Sequence, residues 1–170
     1  HTHSLWSDGD DFPEMIGDWY RSRDYHFLAL TDHNVLSEGV RWMSLKKVFQ
    51  RSDETTLEKY LARFGDAWVE TRGTPDTPDF EVRLQPLDRF RKLLEEPEHF
   101  LMIQGEEISD KAEGVPVHMN ATNLEKLIEP LGGRTVAEAI DNTLRAAEEQ
   151  ARQTGREILV HLNHPNFGWA

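Results

Sequence analysis

Apolar positions along this chain recur with two different periods. Thr56 to Phe64 carries Leu57, Tyr60, Leu61 and Phe64 at i, i+3, i+4 and i+7, which predicts an amphipathic helix. Pro13 to Ser22 places Pro at its start and Ile16, Trp19 and Tyr20 on one face, predicting a first helix. Asp88 to Glu95 reads as a helix stopped by Pro97. Thr135 to Thr154 is the clearest helix. Thr135 and Glu138 form a capping box, Gly155 ends it, and Val136, Ile140, Leu144, Ala147 and Ala151 make the expected buried stripe. Between these lie short runs of strand length: HFLAL at 26–30, FEVRL at 80–84, FLMIQ at 100–104, VPVHMNATN at 115–123 and EILVHLNHP at 157–165. TRGTPDTPD at 71–79 is loop by composition. Strands alternating with helices predict an α/β chain.

Bulk composition narrows the function classes. The 170 residues suit one domain with a sizeable core. A net charge of −12 opposes a general nucleic-acid or anionic-membrane binder, since both need a positive face. The longest apolar runs are a few residues, so none predicts a membrane span. The absence of cysteine excludes a disulfide framework, a thiolate metal site and a cysteine nucleophile. The chain starts at His1 without a Met and ends at PNFGWA, and we expect it to be clipped at both ends.

The eight histidines then change the picture. His33, His118 and His164 fall at or near the ends of predicted strands, and so does Glu107. His1 and His3 would do so if a strand precedes them. His26 and His99 precede strands and are expected to be surface or packing residues. A His-x-His pair on a strand directs both rings to one face. Imidazole and carboxylate without thiolate suits zinc, manganese or iron(II). Asp8 sits in a Ser-Asp-Gly turn from which it can reach inward. The strand HFLAL ends in Asp32 and His33, and FLMIQG in Glu106 and Glu107. Ionisable groups buried at such ends are costly unless a cation meets them.

The segments HTHS with SDG, LTDHN, GEEIS, PVHMNATN and LNHPNFGW, in this order, resemble the PHP (polymerase and histidinol phosphatase) metallohydrolases. GEEIS and VHMNATN are most similar to the branch containing carbaryl-hydrolase-type enzymes. The resemblance reaches from the first residue to the last few. It covers one domain, 1–170, with a region at about 40–98 that carries no motif and is expected to be an insertion. It implies a distorted (β/α)7 TIM-like barrel, incomplete in this chain, and a cluster of two to three divalent ions (Zn, Mn or Fe). By that resemblance His1, His3 and Glu107 hold one ion. Glu107 bridges to a second, held with His118 and His164, and Asp8 and His33 hold a third. Glu107 is preferred to Glu106 because the family's ligand directly precedes the Ile-Ser pair. The family has a further Asp-x-His that this chain lacks, leaving seven of the nine implied ligands.

The implied activity is a polynuclear metal-dependent hydrolase. It would act on a small-molecule phosphoester or on a carboxyl or carbamate ester or amide, through a hydroxide bridging the ions. Asp32 and His161 are candidates for orienting a ligand or a water, with a strand-end cap as the alternative for Asp32 and a structural histidine or a metal ligand as those for His161. Asn34, Asn120 and Asn163 are candidate substrate contacts or turn residues. Trp6 and Trp169 are candidate pocket walls, and the other three tryptophans are expected in the core. Three other readings stay open: a PHP-type domain that binds metal without catalysis, a copper site built on His1, and histidines with no metal role. Export fits this branch, a cytoplasmic location is equally compatible, and the sequence does not set the oligomeric state.

Overall fold

A computed structural model describes residues 1–165. In chain order it contains α1 (Pro13–Arg21), β1 (Phe27–Leu30), β2 (Arg41–Ser44), α2 (Leu45–Arg51), α3 (Thr56–Phe64), β3 (Thr71–Arg72), β4 (Glu81–Leu84), α4 (Leu87–Leu94), β5 (Leu101–Ala112), β6 (Val115–Thr122), α5 (Val136–Thr154) and β7 (Leu159–Leu162). Two compact units result. One comprises His1–Thr2, Ala29–Leu36 and the described residues from 103 to 165; the other comprises His3–Leu28 and Ser37–Met102. The motif-free stretch at about 40–98 therefore packs in one unit with residues 3–28.

The expected (β/α)7 TIM-like barrel is not what the chain forms. Among the described residues there are two small sheets, ordered β1-β5-β6-β7 and β2-β4-β3, and no closed barrel. The physical reason lies in two residues. Glu113 (φ 52°) and Gly114 (φ 80°) both take the left-handed conformation between Ala112 and Val115, which pair directly. A two-residue loop with positive φ at both positions makes a tight hairpin, so β5 and β6 are antiparallel. Parallel barrel strands need a crossover instead. β5 is also longer than the predicted FLMIQ: it continues through GEEIS to Ala112. β6 and β7 pair antiparallel as well, as do β2 and β3 with β4.

In the first unit, α5 is capped by Thr135 as expected, but the return bond of the box goes to the N–H of Arg134 rather than to that of Thr135. Thr135 Oγ1 accepts the Glu138 N–H at 3.1 Å, while the Glu138 carboxylate accepts the Arg134 N–H at 2.8 Å. Gly155 ends the helix with φ 70°. The buried stripe is rotated from the expected one. Ala139, Thr143, Ala147 and Gln150 face inward, and Leu144 is 37 % exposed. Small residues let the helix approach closely, and Gln150 binds backbone groups that apolar side chains could not. Its Oε1 accepts from the N–H groups of Glu125 and Lys126 at 2.8 and 3.0 Å. The core beneath contains Ile108, Ala121, Leu124 and Ile128.

In the second unit, the core includes Leu5, Trp6, Phe12, Tyr60, Val82, Leu84 and Phe90. The buried side of α1 is Pro13, Glu14 and Gly17, not the face that carries Ile16, Trp19 and Tyr20. A Cβ at Gly17 would lie 2.5 Å from Leu94 Cδ1, so this face admits α4 only because it is bare. Trp19 lies outside the core with the Arg23 guanidinium 4.0 Å over its ring. Trp6 is buried, its Nε1 donating to the Gln85 carbonyl at 3.1 Å, so it packs rather than walls a pocket. Trp169 lies outside the described residues. Glu14 is fully buried and accepts from Tyr60 Oη at 2.7 Å and Trp68 Nε1 at 3.0 Å. Among the described residues no helix is long and apolar enough to cross a membrane.

Candidate metal centre

The β5–β6 hairpin supplies the middle of the site. Its register pairs Glu107 with Asn120 and Ser109 with His118, and cross-strand partners project to one face. Glu107 and His118 are therefore diagonal neighbours on that face. Neither stands at a strand end: both lie within their strands, contrary to the expected barrel arrangement. Glu106 takes the opposite face, towards the core of the same unit. Its Oε1 accepts the Ile128 N–H at 2.7 Å, and burial pushes its carboxyl up to about 7.

Three further segments of the same unit converge on Glu107. The end of β1 is stitched to β5: Asn34 N–H donates to the Glu107 carbonyl at 3.0 Å, and Glu107 N–H donates to the Asp32 carbonyl at 3.1 Å. Asn34 adopts φ 49°, and its side chain bonds both backbone groups of Ser109. Asp32 is thereby buried at the end of β1, and His33 forms a parallel bridge with Glu107. The chain start is held by Thr31, whose N–H donates to the Thr2 carbonyl at 2.8 Å, while Thr2 N–H donates to Thr31 Oγ1 at 3.0 Å. Beyond β7, Asn163 N–H donates to the His118 carbonyl at 2.9 Å. Regular alternation would send Asn163 and His164 to opposite faces. The strand ends at Leu162, and φ 28° at His164 lets both reach Glu107.

The result is one fully buried carboxylate among four imidazoles. Glu107 Oε1 lies 3.2 Å from His118 Nδ1 and 3.1 Å from His164 Nε2, and Oε2 lies 3.2 Å from both His1 Nε2 and His33 Nδ1. The rings crowd one another. His33 and His164 stand 5.4 and 5.1 Å from His118, and His1 stands 5.4 Å from His164. The Ser109 hydroxyl bonds His33 Nδ1. Burial, then the charges of His33 and His164, hold the His118 imidazole below its ordinary value against the pull of Glu107. Neutral imidazoles are metal ligands. His33, Glu107 and His118 bring one donor atom each within 4.8 Å of one another and could hold a metal ion. The donor set fits a divalent cation that accepts nitrogen and carboxylate oxygen.

The remaining expected residues divide. In the second unit, His3 Nδ1 meets Asp8 Oδ1 at 2.7 Å across a tight turn in which the Ser7 and Gly9 N–H groups both donate to the Ser4 carbonyl. His161 is exposed on β7 and pairs with Asn120 in the register, which puts it on the strand face that carries Asn120 and Glu107. Ser109 received no role from the sequence; its signal was the two-residue spacing from Glu107, which places it on the same strand face.

No protein-family model matches this chain, and a search of curated proteins finds no match.

Proposed function

We propose that this protein is a metal-dependent hydrolase of the PHP type whose ions are held by His1, His33, Glu107, His118 and His164. The observation that carries the reading is the fully buried Glu107 carboxylate with an imidazole pair at each oxygen. Motif resemblance gives His3 and Asp8 the same assignment and sets the number of ions at two to three. Without thiolates in the donor set, zinc, manganese and iron(II) are the candidates. Such ions supply Lewis acidity, polarising a phosphoryl or carbonyl oxygen and acidifying water toward neutrality.

The chain's own residues supply the rest. Glu107 provides the fixed negative charge. The hydroxyl of Ser109 holds the His33 ring, and the backbone of Asp32 and Asn34 fixes the strand that presents it. Side-chain exposure of 21 % at His118 to 36 % at His1 leaves the imidazoles partly open to solvent. The substrate class is a phosphoester, or a carboxyl or carbamate ester or amide. The acidic chain disfavours nucleic acid.

The test is metal content by plasma mass spectrometry, wild type beside Glu107→Ala, followed by chromogenic phosphoester and carboxyl-ester substrates with and without chelator. About two to three equivalents are expected in the wild type, with a joint loss in the variant and hydrolysis abolished by chelation. A folded wild-type protein that takes up no metal refutes the proposal.

A further inference from the structure

We infer that Asn163 and Asn120 form a positioning relay that sets the orientation of the Glu107 carboxylate towards its ions. The inference rests on the metal-centre reading above. Asn163 and Asn120 are buried with Glu107, at 5 %, 0 % and 0 % exposure. Asn163 Nδ2 lies 2.8 Å from Glu107 Oε1 and 2.6 Å from Asn120 Oδ1.

Donor and acceptor chemistry fixes the direction of this chain of bonds. An ionised carboxylate only accepts, so the nitrogen of the Asn163 amide must face Glu107. Its second hydrogen then needs an acceptor, and the carbonyl oxygen of Asn120 provides it. That choice turns the Asn120 amide nitrogen away, and this atom is buried without a hydrogen-bond partner among the described residues. A fold selected for packing alone would not leave a buried N–H unmet. Here the acceptor for Asn163 is kept instead. The backbone supports the arrangement: Asn120 is the direct cross-strand partner of Glu107, and Asn163 N–H is anchored on the His118 carbonyl. Oε1, the oxygen shared with His118 and His164, is thereby held, which leaves Oε2 directed at His1 and His33. Carboxylates that bind metals are commonly held by such outer hydrogen bonds.

The probe is Co²⁺ alone, titrated into metal-free protein and read from its visible absorption and from chelator competition, with circular dichroism of the metal-free form as the folding control. Asn163→Ala and Asn120→Ala are each expected to weaken Co²⁺ binding about 10- to 100-fold and to alter its ligand-field spectrum. The double variant is expected to be no weaker than the worse single one, because both act through one bond to Glu107. Asn120→Asp preserves the shape and an acceptor for Asn163, and should bind at least as tightly as the wild type. Independent, additive losses, or an unchanged spectrum in folded Asn163→Ala, overturn the relay and leave the metal centre standing. Should the alanine variants not fold, weakened binding in Asn120→Asp overturns it. Wild-type protein that is folded and binds no Co²⁺ overturns both.

Discussion

Glu14 allows a quantitative test of how a buried carboxyl shapes stability in the second unit. Burial raises its folded-state value from 4.5 to about 7, although Tyr60, Trp68 and Arg89 all favour the ionised form. The folded chain therefore keeps a proton that the unfolded chain releases between these two values. With more protons bound in the folded state, stability falls as pH rises across the interval. Below about 4.5 both states are protonated and nothing is lost; above about 7 both are ionised and the loss is complete. Each unit is worth about 1.4 kcal/mol, so the two and a half units amount to about 3 kcal/mol. Glu14→Gln removes the titration and preserves shape and an oxygen acceptor for Tyr60 and Trp68. Its amide N–H group occupies the place of Glu14 Oε2, which has no hydrogen-bond partner among the described residues. That cost is the same at every pH. The comparison is urea unfolding of both proteins at pH 4.5 to 8 with chelator present, followed by tryptophan fluorescence. Relative to wild type, the variant should gain about 3 kcal/mol between the two ends. Parallel stability curves would show that Glu14 titrates as an ordinary exposed glutamate and would refute the argument.

Three further substitutions probe the first unit, which carries the candidate metal centre. Thr135→Ala removes the N-cap oxygen of α5 and should cost about 1 kcal/mol in urea unfolding. Gly114→Val places a β-branched residue at φ 80° and should cost about 1–2 kcal/mol, with faster amide exchange across β5 and β6. Gly105→Ala puts a Cβ 2.8 Å from the Ala121 backbone oxygen, which cannot yield without moving β6. It should lower stability by about 1–3 kcal/mol and weaken metal binding, both read by thermal unfolding with and without Co²⁺.

Local elements with their own periodicity and caps were legible from the chain. α3 occupies Thr56–Phe64 as read, and α5 starts at its capping box and stops at Gly155. What periodicity does not encode is strand direction and which helix face turns inward. The hairpin between β5 and β6 turns on Glu113-Gly114, a weaker signal than Asn-Gly or Asp-Gly, so two strands that fold back on each other read as candidates for a parallel set. The inward face of α1 is likewise not encoded by its spacing. Aromatic residues at helical spacing look like a core stripe, yet a bare Gly17 against Leu94 and a Glu14 with two donors decided which side is buried.

The residues of the candidate site come together for a reason other than barrel geometry. Strand ends in a barrel were expected to gather the ligands, but an antiparallel hairpin gathers Glu107 and His118 through its two-residue period instead. The same period explains why adjacent glutamates have different surroundings. Glu106 faces the apolar side, meets one backbone N–H, and is driven towards its neutral form by burial. Glu107, one residue later, faces four imidazoles instead. A carboxylate held among several imidazoles could hold a cation that accepts nitrogen and carboxylate oxygen. The residue types and their order along the chain therefore remained informative where the inferred topology did not. They specify what must meet, while the turn at Glu113-Gly114 and the backbone bonds of Asn34 and Asn163 specify how.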